Sequence, residues 1–218
     1  MTVSMRCSPL TASTKAALRY ALGDDHTYEF VQGVLKTSIH SEIQDFFPQG
    51  EEYFEYFDLS DVSSCQEAVR HLEDFIIAEG PFDGVIGFSQ GAALAAAVMA
   101  QRQRKQPLEE AANPVFKCAI FISAAVVFDP ISLGEGFLRA LSWDVDGEVV
   151  HVPTTHIWGQ KDPSPFPPIL AKLCNTTTRQ VYIHDGGHGI PGSHMGEALG
   201  ECVRVIRRSI LSAKLRTI

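Results

Sequence analysis

The stretch that most restricts what this chain can fold into is Gly84-Val85-Ile86-Gly87-Phe88-Ser89-Gln90-Gly91, which opens an alanine-rich run. Residues 84–88 form a short apolar run, the pattern of a strand buried on both faces. Residues 90–101 read as a helix, and Ala92, Ala93, Ala95 and Ala96 would let it lie close against a sheet. The turn between them spells G-x-S-x-G, with Ser89 in the middle. A serine on such a strand-to-helix turn is exposed at the top of a sheet in a strained backbone. Glycines at 87 and 91 remove the Cβ atoms that would collide there. Ser89 then stands at a helix N-terminus, where open N–H groups and the dipole favour developing negative charge. The backbone N–H of Gln90 is the natural donor to an oxyanion formed at that point. A small-residue turn without chemistry can carry the same five letters. The strand before it and the helix after it favour the chemical reading.

A serine nucleophile needs a base, and the base needs an orienting carboxylate. On a strand–turn–helix scaffold the order along the chain is Ser, then Asp or Glu, then His, the last two on loops that follow strands. Residues 154–158 read as a strand running into Gly159-Gln160-Lys161-Asp162, and residues 180–184 as a strand running into Asp185-Gly186-Gly187-His188. Asp162 and His188 are therefore expected on the same sheet rim as Ser89. The rivals fit less well. His184 falls within a strand, His194 falls on the final helix, and His151 and His156 precede the acid. Asp129, Asp144 and Asp146 lie in an interrupting segment. His184, Asp185 and His188 are close in sequence but match no metal-binding pattern, so neither metal nor cofactor is expected.

The rest of the chain supports one α/β domain over residues 1–218, a mainly parallel sheet with helices on both faces. Residues 13–22 read as a helix stopped by Gly23, residues 28–31 as a strand, and residues 34–58 as irregular and aromatic-rich. Ser64 with Glu67 has the spacing of a capping box, ahead of a helix that Gly80-Pro81 ends. Residues 115–123 read as another buried strand, with helices at 168–174 and 193–211. Apolar residues make up 45% of the chain, enough for a core, and the net charge of −8 argues against nucleic acid as a partner. Five cysteines, with no C-x-x-C pair, suggest scattered reduced thiols. No targeting segment or membrane span is visible, so a cytoplasmic location is expected.

Residues 80–92, Gly80-Pro81-Phe82-Asp83-Gly84-Val85-Ile86-Gly87-Phe88-Ser89-Gln90-Gly91-Ala92, resemble the fungal serine-hydrolase family often called FSH. That family is an α/β-hydrolase group related to the ovarian-cancer-gene-two esterases and to polyketide-releasing thioesterases. Residues 153–162 and 184–191 look like its acid and histidine loops, and the likeness runs from about residue 14 onward. The resemblance implies a triad of Ser89, Asp162 and His188 that cleaves carboxylic esters or thioesters. It also implies a small or carrier-bound acyl substrate, with a polyketide synthase as a partner in secondary metabolism. The sequence leaves oligomeric state open. An acyltransferase on the same triad is an alternative.

One departure from the family stands out. Its members begin with a strand ending in His-Gly, whose loop gives the second oxyanion donor, whereas this chain begins Met1-Thr2-Val3-Ser4-Met5-Arg6-Cys7-Ser8-Pro9-Leu10. Residues 2–7 could form a short replacement strand, but Thr2, Ser4 and Arg6 suit a doubly buried position poorly, and Pro9 has no N–H to donate. The first strand is accordingly expected to be missing, truncated or degenerate. That opens a further alternative, a weak or inactive hydrolase fold that binds a ligand or partner. Residues 124–150 interrupt the strand–helix alternation and read as a lid segment. Phe128, Phe137 and Trp143 there would wall an acyl pocket, or else cover the core; burial habits favour neither.

Overall fold

Each apolar run read above as a buried strand pairs in parallel with the next, because strands apolar on both faces need helices on both sides. The computed structural model describes residues 2–6, 12–37, 53–191 and 196–216, with backbone alone for 2–6 and 12–16. The first half runs β1 (Thr2–Arg6), α1 (Ala12–Leu22), β2 (Tyr28–Gln32), β3 (Leu35–Thr37), β4 (Tyr53–Glu55), α2 (Val62–Glu79), β5 (Gly84–Phe88) and α3 (Gln90–Lys105). The second half runs α4 (Pro107–Ala112), β6 (Cys118–Ile122), α5 (Pro130–Gly134), α6 (Trp143–Asp146), β7 (Thr154–Gly159), α7 (Phe166–Lys172), β8 (Arg179–His184) and α8 (Gly196–Arg216). Six strands make one parallel sheet in the order β2-β1-β5-β6-β7-β8, and β3 pairs antiparallel with β4 in a separate ribbon.

Side chains alternate across β5 and β6 with the two-residue period of a strand. Val85, Ala119 and Phe121 face a core shared with α2 and α3, whose Val69, Leu72, Leu94 and Val98 are buried. Ile86, Phe88, Ile120 and Ile122 face a second core with Leu18 and Leu22 of α1 and Val203 and Ile206 of α8. Every residue of β5 and β6 is buried, and each large apolar side chain there contributes about 1.5–3 kcal/mol of transfer free energy. Residues 92–97 of α3 are all 0–1% exposed, and the alanines among them bring that helix close to the sheet.

Two expectations are corrected. The first strand is present: Thr2–Arg6 pairs with β2 on one side and β5 on the other, second from the edge of the sheet. Its polar residues do not prevent this, because a ladder is made by backbone groups that every residue except proline carries. The α2 N-cap is Asp61, whose carboxylate accepts from Ser63 N at 2.9 Å. Ser64 lies one turn in and bonds to the backbone of Asp58 instead. Residues 124–150 form the crossover from β6 to β7, leaving the rim where Ala125 N donates to Ser89 O at 3.1 Å. Gln66 of α2 donates to Leu133 O at 2.7 Å, and Arg104, at the far end of α3, pairs with Asp129 and Asp146. Arg139 bonds both carboxylates at 2.8 Å, so the crossover is clamped along α2 and α3.

Candidate active site

Ser89 closes β5 and caps α3 with φ 51° and ψ −120°, a conformation that costs a non-glycine residue about 1–3 kcal/mol. The surrounding backbone holds it there. Ser89 N donates to Ile122 O at 2.9 Å, and Ser89 O accepts from Ala92 N, Ala93 N and Ala125 N at 3.1–3.2 Å. A Cβ on Gly87 would stand 2.5 Å from Ala92 Cα, so only glycine lets the turn close this tightly.

The acid and histidine loops are stitched together beside it. Gln160 N donates to His184 O at 2.7 Å and Lys161 N to Gly186 O at 2.9 Å. Gly159, the last residue of β7, sits under this crossing: a Cβ there would lie 2.1 and 2.2 Å from the carbonyl oxygens of Gly186 and Gly187. The crossing brings His188 Nδ1 to 2.9 and 3.0 Å from the two Asp162 oxygens, and His188 Nε2 to 3.1 Å from Ser89 Oγ.

The protonation pattern follows from Asp162. Burial pushes its carboxyl up, but the hydrogen bonds from His188 and Ser164 N, with the nearby Ser123 hydroxyl, outweigh burial and leave it below the usual carboxylate range. An ionised carboxylate only accepts, so His188 Nδ1 must carry the proton that points at it. When the ring is neutral, Nε2 is then a lone pair facing the Ser89 hydroxyl. Phe88 packs edge-on against the imidazole at 5.3 Å between centroids, which limits its rotation.

Three neighbours carried no signal in the sequence. The Gln90 amide accepts from Tyr56 N and donates to Phe57 O, both at 3.1 Å, and reaches Glu55 at 3.3 Å. It ties the aromatic segment after β4 to the elbow, a pairing 33 to 35 residues apart that no local pattern reveals. Ser164 N donates to Asp162 Oδ1 at 2.9 Å in a tight turn. Ser123 ends β6 with φ 45°; its hydroxyl is wholly buried, makes no hydrogen bond of ordinary geometry, and lies close enough to Asp162 to favour its ionised form.

The rivals lie elsewhere. His184 is buried at the end of β8, where its Nδ1 accepts from Gly186 N, and burial lowers its pKa. His156 is enclosed in β7, His151 is exposed, and His194 lies outside the described residues. Asp129 and Asp146 belong to the arginine clamp, and Asp144 is exposed on α6. The proposed pocket walls do not converge. Phe128 is a core residue packed on Phe57 at 5.2 Å, whereas Phe137 and Trp143 are about half exposed. The crossover's own cavity, about 40 Å³ between Val126, Leu141 and Phe166, contains none of the three. Larger cavities of about 390 and 570 Å³ lie at the opposite end of the sheet, near the starts of β5, β6 and β7.

Among the described residues no group of three or more His, Cys, Asp or Glu is placed to hold a metal ion. Cys65, Cys118, Cys174 and Cys202 are buried free thiols whose pKa values burial pushes up to about 11 or 12. No helix among the described residues is long and apolar enough to cross a membrane. The loop after β1, where a second oxyanion donor is expected and where Cys7 and Pro9 stand, lies outside the described side chains.

The family model described as Serine hydrolase (FSH1) matches residues 7–197. Esterase FPY3 of Fusarium mangiferae is 35% identical over 204 residues, covering 91% of this chain and 89% of that protein. A carboxylesterase from Mesorhizobium loti superposes with a TM-score of 0.58 at 15% identity, covering 95% of this chain and 86% of its own. The RedJ thioesterase of the prodiginine biosynthetic pathway in Streptomyces coelicolor gives 0.51 at 15% identity, over 94% and 85%. At that identity the two structures speak to the fold, an α/β-hydrolase. The chain belongs to the FSH1 family of serine hydrolases.

Proposed function

We propose that Ser89, His188 and Asp162 act as nucleophile, base and orienting acid in the cleavage of carboxylic esters or thioesters. The observation that carries this reading is the continuous contact from Ser89 Oγ through His188 to Asp162, at 3.1 and 2.9 Å. His188 Nε2 takes the hydroxyl proton as Ser89 Oγ attacks the acyl carbonyl. The resulting oxyanion is held by the Gln90 N–H. His188 returns the proton to the departing alcohol or thiol, leaving an acyl-serine. Water, deprotonated by the same nitrogen, attacks that ester, and the acid and free Ser89 follow. Asp162 stays ionised throughout and stabilises the imidazolium.

A carrier-bound acyl or polyketide chain suits the same chemistry, since a thioester presents the same carbonyl. The family resemblance and the RedJ fold support that substrate class. Fluorophosphonate titration tests the mechanism without knowledge of the substrate. The wild type is expected to label stoichiometrically and Ser89→Ala not at all, with turnover of aryl esters falling by about 10⁴–10⁶-fold. Folded wild-type protein that does not label would overturn the triad. Labelled protein that hydrolyses neither aryl esters nor acyl thioesters would leave the triad standing and remove the substrate class.

A further inference from the structure

We infer that β8 is an interface for a second copy of this chain, joined edge to edge about a two-fold axis through Tyr182. β8 ends the sheet, and among the described residues no strand pairs with its outer edge. Open edges are usually blocked by charge, proline or a bulge. Residues 180–184, Gln-Val-Tyr-Ile-His, carry none of these, whereas β2, the opposite edge, carries Glu29 mid-strand. Tyr182 turns toward the core with α8. Val181 and Ile183 turn the other way and are 44% and 50% exposed.

Two copies related by a two-fold axis perpendicular to the sheet meet antiparallel and keep their helix layers on the same sides. Residues of equal parity then stand opposite one another. Centring the pair on Tyr182 sets Val181 beside Ile183 and Gln180 beside His184. It also sets Arg179 beside Asp185, twice over. Centring one residue either way leaves both charges unmatched: Arg179 then meets Ile183 or Gly187. The strand is thus self-complementary in charge and apolarity in this one symmetric register. Arg179 already donates to Ala171 O, which uses one of its five N–H groups. Asp185 is exposed. The paired strand leads directly into Gly186-Gly187-His188, so the same contact braces the loop that carries the imidazole. This inference does not depend on the proposed mechanism.

The test is sedimentation equilibrium of the full chain over a dilution series. The wild type is expected to dimerise. Val181→Lys should be monomeric. Asp185→Arg, an exposed change that leaves the fold intact, should weaken the dimer by about tenfold or more by setting like charges opposite. The double variant Arg179→Asp with Asp185→Arg should restore it. A monomeric wild type would overturn the interface. So would a dimer indifferent to Val181→Lys. If Asp185→Arg weakens the dimer and the folded double variant stays weak, the Tyr182 register is wrong.

Discussion

Two serines at neighbouring strand ends hold backbone that other residues avoid, Ser89 at φ 51° and Ser123 at φ 45°. One presents the proposed nucleophile, and the other buries its hydroxyl beside Asp162. The glycines around them are fixed by contact rather than by flexibility. Gly159→Ala tests this. Its methyl group would overlap the carbonyls that carry the His188 loop, so the loop must shift. The fluorophosphonate labelling rate is expected to fall by about 10²-fold, as for a misplaced catalytic group. Stability should drop by about 1–3 kcal/mol. An unchanged labelling rate would show that the loop position does not govern the base. Ser89, Asp162 and His188 were legible in the sequence because each follows a strand and a glycine. Ser123 and the Gln90 side chain were not, because their roles depend on partners distant along the chain.

Strands and helices were legible where one physical constraint acted alone. Burial on both faces makes β5 and β6 apolar throughout, and the alanines of α3 announce close packing on the sheet. The crossover at residues 124–150 obeys no period, because ion pairs organise it. Burial pushes Asp129 up, yet its bonds to Ser132 and Arg139 bring it below the ordinary carboxylate range; Asp146 is lowered further, chiefly by Arg139. Their contribution to stability is therefore complete above that range and lost as pH falls through it. Arg104→Ala should cost about 1.5–3 kcal/mol, because Arg139 remains to hold both carboxylates. Arg104 stands 14 residues along α3 from Gln90, about 21 Å at the helical rise, so ester turnover should hardly change. Urea melts beside turnover assays would separate the two effects. Lost turnover at unchanged stability would show that the clamp acts on the site.

Among the described residues burial lowers the pKa of two histidines, His156 and His184, and ties stability to pH near neutrality; the larger shift is at His156. His156 is enclosed between Thr154 and Phe121, and burial, helped by Arg179, lowers its pKa to about 3. An unfolded histidine titrates near 6.5. The folded value is depressed, so the neutral ring favours the folded state fully above about pH 6.5. That advantage is lost on acidification from 6.5 toward 3, at up to about 1.4 kcal/mol per pH unit. His156→Gln should be less stable at pH 7 yet show a shallower loss between pH 6.5 and 4.5, measured by urea midpoints. Equal slopes would mean that the ring takes up a proton without unfolding. The main sheet was readable except for β1, whose polar residues obscured a ladder made by backbone; the β3–β4 ribbon lay within a stretch read as irregular.

The backbone at Ser89 bears on how such a chain can change over generations. On the proposed mechanism, a residue freed from positive φ would make the fold more robust and silence it as an enzyme. Selection for durability and selection for turnover pull in opposite directions at that codon, so mutational drift toward sturdier versions must find its gains elsewhere in the chain.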